Sequence, residues 1–353
     1  MTAITAESKT DLDFSGRRCA VTGASGFIGS RVVETLLAAG AEVVSVVRPE
    51  SRTPHLQQSG AQVVRVDFDD QSSLIRALSG CDAVFHLAGA VRALGEAALH
   101  RINGEGVRRV VDACAALSPP PTFVLVSSLA AAGPSTGRGP RRADEPATPL
   151  SAYGRSKLAG EQAACAAAAR VPVSIVRPPI VFGGGDRATL AWFRSVDRWS
   201  LHVVPGLQNH RFSLIHVDDL CRLLLAVAAI GSRIPATFDA QSPCGRGIYF
   251  SAHPETICYA RIGELIAAAL GRRRLRTLHL PIGVLWGVGA FSEVLGRVLR
   301  QPPILGLDKI REARAGAWTC DGCSAASLGV EFPRTLAERF QDTVDAYRRA
   351  GWL

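Results

Sequence analysis

The chain is organised around a glycine-rich stretch near its N-terminus, Val21-Thr22-Gly23-Ala24-Ser25-Gly26-Phe27-Ile28-Gly29-Ser30. An apolar run, Cys19-Ala20-Val21, precedes it and is typical of the end of a buried strand. An amphipathic segment over 31–39 follows and stops at Gly40, which predicts a helix. A turn between a strand and a helix places free backbone N–H groups at the positive end of the helix dipole. The stretch therefore predicts a phosphate site.

The three glycines of this turn have separate expected tasks. Gly23 permits the tight turn, Gly26 lets a pyrophosphate approach the backbone, and Gly29 lets the helix pack closely on the strand. Gly23 and Gly26 stand three positions apart, instead of the two of the usual dinucleotide fingerprint. In its strand–turn–helix context the pattern favours a dinucleotide site over a glycine turn without a ligand. The predicted contacts of this turn are Gly23, Ser25, Gly26, Phe27, Ile28 and Gly29.

Composition limits the class of protein and of partner. The chain has 353 residues, 47% of them apolar, which is enough for a sizeable core and argues against disorder. Forty Lys and Arg against 31 Asp and Glu give a net charge of +9, which favours cofactor phosphates, a membrane surface or nucleic acid as partners. Nucleic acid is the weakest of these, because no long basic run is interleaved with aromatic residues.

The termini and the cysteines indicate a cytoplasmic protein without a metal. Residues 1–15 are polar and lack the apolar core of a signal peptide, so we expect a frayed cytosolic tail. The nine cysteines are scattered singly except for Cys320 and Cys323, which supply two of the four ligands of a structural zinc. Free thiols in a reducing compartment are the favoured interpretation. No apolar run reaches the length of a membrane span.

Strand and helix patterns alternate from Arg17 to about Arg177. Repeated β–α units predict an α/β fold of the Rossmann type, a doubly wound parallel sheet that binds ligands at the carboxyl ends of its strands. We expect a dinucleotide-binding domain over 15–182 and 212–240, and a smaller substrate domain over 183–211 and 241–353. Predicted strands are Glu42–Val47, Gln62–Val66, Ala83–Leu87, Thr122–Ser127 and Val173–Arg177, with helices over stretches such as Ala97–Leu117 and Ser151–Arg170.

The ends of the second and third strands predict the adenosine side of the site. Arg48 stands where an NAD site usually has an acid, and an arginine suits a 2′-phosphate, so NADP is favoured with NAD as the alternative. A solvated surface arginine is the other interpretation of Arg48. Asp67, followed by Phe68, could accept a hydrogen bond from the adenine amine or could cap the next helix.

The ends of the fourth and fifth strands carry further candidate site residues. Small residues in Leu87-Ala88-Gly89 would let the backbone touch the cofactor, whereas His86 is favoured as a core histidine. The fifth strand delivers Ser127 and Ser128 to the same sheet edge. Downstream, Tyr153 and Lys157 are four residues apart and share one face of a predicted helix.

Taken together, these motifs resemble the extended short-chain dehydrogenase/reductases of the NAD-dependent epimerase/dehydratase superfamily. The resemblance extends from Arg17 to Leu353. It is carried by the turn at 22–29, by His86-Leu87-Ala88-Gly89, Ser127-Ser128 and Tyr153-Gly154-Arg155-Ser156-Lys157, by Arg177-Pro178-Pro179-Ile180-Val181-Phe182-Gly183, and by the stretch 212–220.

The resemblance implies hydride transfer between nicotinamide and a carbinol or carbonyl carbon. Tyr153 would be the general acid or base. Its ordinary pKa of about 10 would be lowered by the Lys157 ammonium and by the cationic nicotinamide. Lys157 would also hold the nicotinamide ribose, and Ser128 would orient the reacting oxygen, with Ser127 as the alternative. Pro178 joins the implied cofactor contacts. Asn103 matches a family position behind the site, and a packing role is equally open.

The residues after Ser128 discriminate among the reactions of the superfamily. Its sugar-nucleotide dehydratases place an Asp-Glu pair there, whereas this chain has Leu129-Ala130, so dehydration is set aside. A nucleotide-sugar epimerase stays open as the first alternative. A non-catalytic dinucleotide-sensing protein is the second, although such a relative would typically have lost the tyrosine that Tyr153 retains.

An apolar segment late in the chain bears on the substrate. Residues 280–291 are almost free of charge, which is similar to the 3β-hydroxysteroid dehydrogenase branch and favours a sterol-like or polyketide-like substrate. Six arginines and one acid lie between 271 and 300, which predicts peripheral contact of 280–299 with the inner face of a membrane. Burial of the same face against the protein is the alternative. A homodimer is left open as a further assembly.

Overall fold

A computed structural model of the chain describes residues 12–135, 139–207, 209–237, 239, 243–299 and 306–353. The strands are β1 (Arg18–Thr22), β2 (Glu42–Val47), β3 (Gln62–Arg65), β4 (Ala83–His86), β5 (Thr122–Val126), β6 (Val173–Arg177), β7 (Ile180–Phe182), β8 (Leu201–Pro205), β9 (Arg211–Phe212), β10 (Leu214–His216), β11 (Ile248–Phe250), β12 (Ile257–Cys258) and β13 (Arg276–Leu280).

The helices follow the same chain order. They are α1 (Phe27–Ala38), α2 (Pro54–Gln58), α3 (Gln71–Leu78), α4 (Glu96–His100), α5 (Gly106–Ala115), α6 (Leu129–Ala132), α7 (Ala152–Ala166), α8 (Leu190–Trp199), α9 (Val217–Ile230), α10 (Tyr259–Ala269), α11 (Ile282–Leu299), α12 (Leu307–Arg314), α13 (Cys323–Ser327) and α14 (Leu336–Arg349). A π-helical turn, Arg101–Glu105, joins α4 to α5. The helix predicted over 97–117 is thus interrupted at this turn.

The main sheet has seven strands in the order β11-β6-β5-β4-β1-β2-β3. All six pairs of neighbouring strands in it are parallel. The chain runs from β1 outward through β2 and β3, then returns to place β4 on the other side of β1. Ligands of such sheets bind beyond the carboxyl ends of the strands where the order reverses. The predicted Rossmann-type architecture is confirmed.

Both faces of this sheet are covered by helices. Alternation along β1 sends Val21 into one layer, with α1 and α9, and Ala20 into the other, with α3, α5 and α7. Because both layers are apolar, the strands are buried on both sides and read as continuous apolar runs. This sandwich fixes the positions of the strand ends, where the candidate site lies.

The C-terminal part adds a second core beside the sheet. Phe182 stacks on Phe340 with 4.5 Å between ring centroids, and Phe193 meets Tyr347 edge-on at 5.1 Å. α14 begins with a capping box in which Thr335 and Glu338 bond each other's backbone N–H groups. The division into two domains stays a prediction. β11, which lies in the predicted C-terminal part, hydrogen-bonds to β6 within the main sheet.

Three features of the described residues bear on partners and compartment. No helix among them combines the length and the apolar composition needed to cross a bilayer. All nine cysteines are free, including Cys320 and Cys323, and no cluster of metal-ligating side chains occurs in the described part of the chain. The tail predicted over 1–15 lies outside the described residues as far as residue 11, and so does Arg300 of the predicted membrane segment.

Candidate functional site

A cleft of about 590 Å³ opens at the carboxyl ends of the central strands. It lies beside β1 and β4, where the strand order reverses, and so occupies the expected place for a ligand. Nine of the predicted cofactor contacts line it: Gly23, Ser25, Gly26, Arg48, Asp67, Phe68, Leu87, Ala88 and Gly89.

The glycine turn fits a dinucleotide phosphate. Gly23 has a φ of +71°, and a Cβ there would lie 2.7 Å from the backbone N of Ala88. A Cβ on Gly29 would clash with the carbonyl oxygen of Gly23, so only glycine lets α1 approach the turn. Within the described residues no side chain caps α1, and its first turn holds no acid. Its first N–H groups are therefore free to bind an anion.

Tyr153, Lys157 and four further predicted contacts lie away from the cleft walls. Phe27 borders a neighbouring cleft, Ile28 packs against the apolar core, and Gly29 contacts the turn through its backbone. The carbonyl of Pro178 accepts a hydrogen bond from the N–H of Leu129 at 2.8 Å. Phe27, Ile28 and Gly29 thus form the first turn of α1 beside the cleft, and Pro178 positions the start of α6.

The adenosine end of the cleft contains both positively and negatively charged side chains. The Arg48 side chain is 70% exposed, and its Nε lies 3.1 Å from a carboxylate oxygen of Glu50, which lines the same cleft. Arg109, which the sequence interpretation did not single out, also lines the cleft and pairs with Asp69 at 2.6 Å. A 2′-phosphate would meet Arg48 only by competing with the neighbouring Glu50 carboxylate.

Asp67 and His86 have different local roles. Asp67 lies in the cleft, while the capping of α3 falls to Asp70, whose carboxylate accepts from the N–H of Ser72 at 3.0 Å. His86 shares a 2.8 Å hydrogen bond between its Nδ1 and the Thr22 hydroxyl, and its ring stacks on Phe123. Burial lowers the pKa of His86 to about 3, so the ring is neutral and structural at ordinary pH.

The reacting end brings Ser128, Tyr153 and Lys157 together. Ser128 caps α6 by accepting from the N–H of Ala130 at 3.1 Å, and its hydroxyl lies close enough to Tyr153 to lower the pKa of the phenol. α7 holds Tyr153 and Lys157 one turn apart. The Lys157 ammonium donates to the carbonyl of Val126 at 2.7 Å and is buried close to Gly89, at the edge of the cofactor cleft. The Ser128 and Tyr153 hydroxyls are thus close together, and the Lys157 ammonium lies beside a glycine that lines the cleft.

Ser127 points into the protein instead. Its hydroxyl donates to a carboxylate oxygen of Glu161 at 2.5 Å, and Glu161 is in turn paired with the buried Arg177 at 2.6 Å. A hydroxyl engaged in this network is not directed at a substrate. The geometry therefore favours Ser128, of the two serines, for the reacting oxygen.

Asn103 connects the cleft with the catalytic helix. Its Oδ1 accepts from the N–H of Ala90 at 2.8 Å, while its Nδ2 donates to the carbonyl of Ala90 and to the hydroxyl of Ser156. Every polar atom of the side chain is thus engaged with protein. The π-helical turn places Asn103 for this task, and we assign it the role of holding the segment after β4 against α7.

The pKa of Tyr153 differs in direction from the expectation. Burial raises it to about 12; the hydrogen bond with Ser128 opposes the shift, and Glu312 adds to it. Lys157 does not lower it in this state, since its ammonium is bound to Val126 and burial lowers the pKa of Lys157 itself to about 8. Tyr153 is therefore a neutral phenol at neutral pH and is poised to give a proton.

These values predict the pH dependence of carbonyl reduction. A lysine is charged below its pKa, so Lys157 should support the reaction at neutral pH and lose its charge as the pH rises through about 8. We expect kcat/KM for reduction to fall across that range. Lys157→Arg, which stays charged, should move the fall to higher pH. A wild-type profile that stays flat well above this pH would contradict the assignment.

α12 forms a wall against Tyr153. Lys309 places its ammonium 5.5 Å from the centre of the Tyr153 ring. Asp308 accepts from the N–H of Ala152 at 2.8 Å, and Glu312 accepts from the Ser151 hydroxyl at 2.5 Å. α12 therefore binds the N-terminus of the catalytic helix. This contact was not predicted from the sequence, because the charged residues of α12 are typical of an ordinary exposed helix.

The model of the NAD dependent epimerase/dehydratase family matches residues 19–237. This range includes the glycine turn, both serines and the Tyr153–Lys157 pair. The chain belongs to this family. Curated relatives of the chain include a reductase and a dehydrogenase, and the chain is an NAD(P)-dependent oxidoreductase of the extended short-chain type.

Curated relatives and solved structures extend this assignment. A ceramide reductase of Caulobacter vibrioides is 32% identical over 335 residues, 95% of each chain. The decarboxylating sterol-4-alpha-carboxylate 3-dehydrogenase of Dictyostelium discoideum is 28% identical over 209 residues, 56% of this chain and 63% of that one. The structure of MoeE5 with UDP-glucuronic acid and NAD superposes with a TM-score of 0.71 at 24% identity, covering 94% of this chain and 99% of that one. That structural likeness supports the fold.

Proposed function

We propose that this family member is an NADP-preferring reductase or dehydrogenase that acts on a carbonyl or alcohol of an apolar, lipid-like substrate. The observation that carries the proposal is the interaction of Ser128 with Tyr153, with Lys157 one turn away and its ammonium beside Gly89, which lines the dinucleotide cleft. Sterol-like and polyketide-like ketones are the candidate classes from the sequence. Similarity along the whole chain to a ceramide reductase adds ceramide-type lipids.

The protein's own groups can carry the proton half of such a reduction. When bound, the nicotinamide supplies the hydride that the carbonyl carbon receives. The Ser128 hydroxyl donates a hydrogen bond to the carbonyl oxygen, and Tyr153 gives that oxygen its proton, so a ketone becomes an alcohol. The Lys157 ammonium stabilises the phenolate that is left, until solvent restores the proton. The oxidative direction uses the same groups in reverse.

The surroundings of Ser128 support redox chemistry without elimination. Leu129 and Ala130 follow it in α6 and are buried. Neither side chain can move a proton, so no acid and base pair stands beside Ser128 to remove water from a sugar.

Exposed apolar side chains on the cleft wall, on the segment that follows it and before α7 support the substrate class. Ile102 lines the cleft, Val91 and Leu94 lie on the segment that follows its Ala90 wall, and Leu150 precedes the cap of α7. Apolar groups exposed around a cleft are typical of sites that bind apolar ligands. The sugar-nucleotide alternative would need charged and polar groups at these positions.

Arg48 gives a prediction about the cofactor. Arg48→Ala should weaken NADP about ten- to a hundredfold and NAD much less, because a charge-assisted contact to the 2′-phosphate is lost. Glu50→Gln is the matched variant: it frees Arg48 from its ion pair and should strengthen NADP binding. Calorimetric titration of both cofactors with all three proteins measures this. Equal weakening of NADP and NAD by Arg48→Ala would place Arg48 in solvent.

A substrate panel tests the proposed activity. Purified protein and NADPH are mixed with a long-chain 3-keto lipid, a 3-ketosteroid or UDP-glucose, and cofactor oxidation and products are followed. We expect net oxidation of NADPH with the apolar ketones. Conversion of UDP-glucose to its 4-epimer without net oxidation would favour the epimerase. Binding of NADP with no turnover of any substrate would favour the sensing protein.

The free thiols support a location in the cytoplasm. Among the nine cysteines, six are buried and none is paired in a disulfide. Such usage is typical of a reducing compartment. We therefore propose a cytoplasmic enzyme, whose relation to the membrane is argued next.

A further inference from the structure

We propose that the outer face of β8, β13 and α11 binds the surface of an anionic lipid bilayer, and that substrate dissolved in the lipid reaches Tyr153 from that side. The access route rests on the proposed function, whereas the binding does not. The first observation is a concentration of exposed apolar side chains. Six of the thirteen large exposed ones in the described residues lie on these elements: Val203, Leu278, Val284, Val288, Phe291 and Leu299. Two more, Trp199 and Leu207, lie two residues from either end of β8.

The ribbon of β8 and β13 turns an apolar face to solvent. The two strands are parallel, with Val203 opposite Leu278. Paired residues of neighbouring strands point to the same side, so these two side chains lie next to each other. Both are exposed, while His202 and Val204 on the other face of β8 are buried. An apolar face that such a ribbon exposes to water is typical of a surface that binds a partner.

α11 repeats the pattern on the next element. Val284, Val288 and Phe291 stand at positions i, i+4 and i+7, which is one stripe of a helix, and all three are exposed. The opposite side is held by protein. A Cβ on Gly289 would clash with Ile310 of α12, and Glu293 accepts from the N–H of Leu307 at 3.0 Å. The side chains of the outward stripe are therefore not the ones that hold α11 against the rest of the protein.

The charge of this region indicates which kind of partner binds the face. Residues 265–292 contain four arginines and no Asp or Glu. Arg272 pairs with Asp197 at 2.9 Å, whereas Arg273, Arg274 and Arg276 are exposed and have no carboxylate within 4 Å among the described residues. A second copy of the chain would bring the same positive charges to the interface and be repelled. An anionic bilayer offers acyl chains to the apolar stripe and phosphates to the arginines.

The same face is linked to the catalytic helix through α12. α11 packs on α12, and α12 contacts Ala152, Ser151 and the ring of Tyr153. The wall that separates the proposed lipid face from Tyr153 is thus one helix pair thick. An apolar substrate entering along this wall would avoid crossing bulk water.

Sedimentation with vesicles tests the binding without using activity. The full chain is mixed with phosphatidylglycerol vesicles or with phosphatidylcholine vesicles, at low and at high salt. We expect salt-sensitive binding to the first and little to the second. Leu278→Ser with Phe291→Ser, side chains 47% and 69% exposed, should reduce partitioning by about tenfold for each change. Ile230→Ser, 62% exposed on α9, is the matched control and should bind as wild type does.

A charge variant keeps the test decisive if the apolar variant fails to fold. Arg273→Glu with Arg274→Glu should weaken binding at least about fivefold for each charge. Arg348→Glu with Arg349→Glu changes the net charge equally at the end of α14 and should have little effect. Three results would overturn the proposal: wild type that stays in the supernatant at low salt, binding that the Leu278/Phe291 variant retains, or a wild-type dimer that this variant converts to monomers.

The access route has its own measurement. The Leu278/Phe291 variant should reduce a short, water-soluble ketone at the wild-type rate and a ketone embedded in vesicles much more slowly. Equal loss on both substrates would contradict access from the lipid side. Absence of any reductase activity would remove the proposed function and leave the vesicle result standing on its own.

Discussion

Tyr153→Phe should lower turnover by about 10²–10⁴-fold while the fold and the binding of NADP are retained. The phenol interacts with Ser128 and can give a proton, and its pKa of about 12 keeps it protonated at neutral pH. Phenylalanine keeps the packing of the ring under Lys309 and removes only the hydroxyl. Single-turnover reduction of a long-chain ketone measures the loss directly.

Two comparisons make this result specific. Tyr259→Phe removes a hydroxyl from another half-buried tyrosine, packed against the C-terminal core, and should leave turnover nearly unchanged. Calorimetric titration should show that Tyr153→Phe still binds NADP. Turnover in Tyr153→Phe close to that of the wild type would remove Tyr153 from the mechanism.

Arg177→Met should lower the free energy of unfolding by about 3–5 kcal/mol, because it leaves a buried carboxylate without its partner. Arg177 and Glu161 are both fully buried, and the guanidinium meets the two carboxylate oxygens at 2.9 and 2.6 Å. In the variant only the Ser127 hydroxyl would remain to hydrogen-bond Glu161. Urea denaturation of the apo protein measures the change.

The double variant separates the cost of an orphaned charge from the value of the pair. Arg177→Met with Glu161→Leu removes both charges and should recover most of the lost stability, because an apolar pair can replace a buried ion pair at little cost. If the free energy of unfolding of the single Arg177→Met variant were within about 1 kcal/mol of the wild-type value, it would show that water reaches Glu161.

Much of the sheet could be predicted from the sequence, because buried strands produce apolar runs between helical patterns. The predicted bounds of β2 and β6 match the structure, and the other central strands differ by one residue. The glycine turn was equally legible. The positive φ of Gly23 and the close approach of Gly29 to it follow from the spacing and the strand–turn–helix context.

What could not be predicted depends on contacts between distant parts of the chain. Asp308 and Glu312 meet the start of α7 from more than 150 residues away, and nothing in either segment signals the other. The direction of the Tyr153 pKa shift follows from burial under this wall, which spacing along one helix does not reveal. The place of β11 in the main sheet is likewise set by its pairing with β6.

Transfer of a labelled hydride tests the central claim most directly. NADPH that carries deuterium at the transferable position of the nicotinamide is incubated with the protein and a long-chain ketone, and the product is analysed by mass spectrometry. The account predicts one deuterium on the new carbinol carbon for each NADPH oxidised, and none with Tyr153→Phe on the same timescale. An inverted sugar nucleotide formed from UDP-glucose, with the ketone untouched and no net oxidation of NADPH, would contradict it.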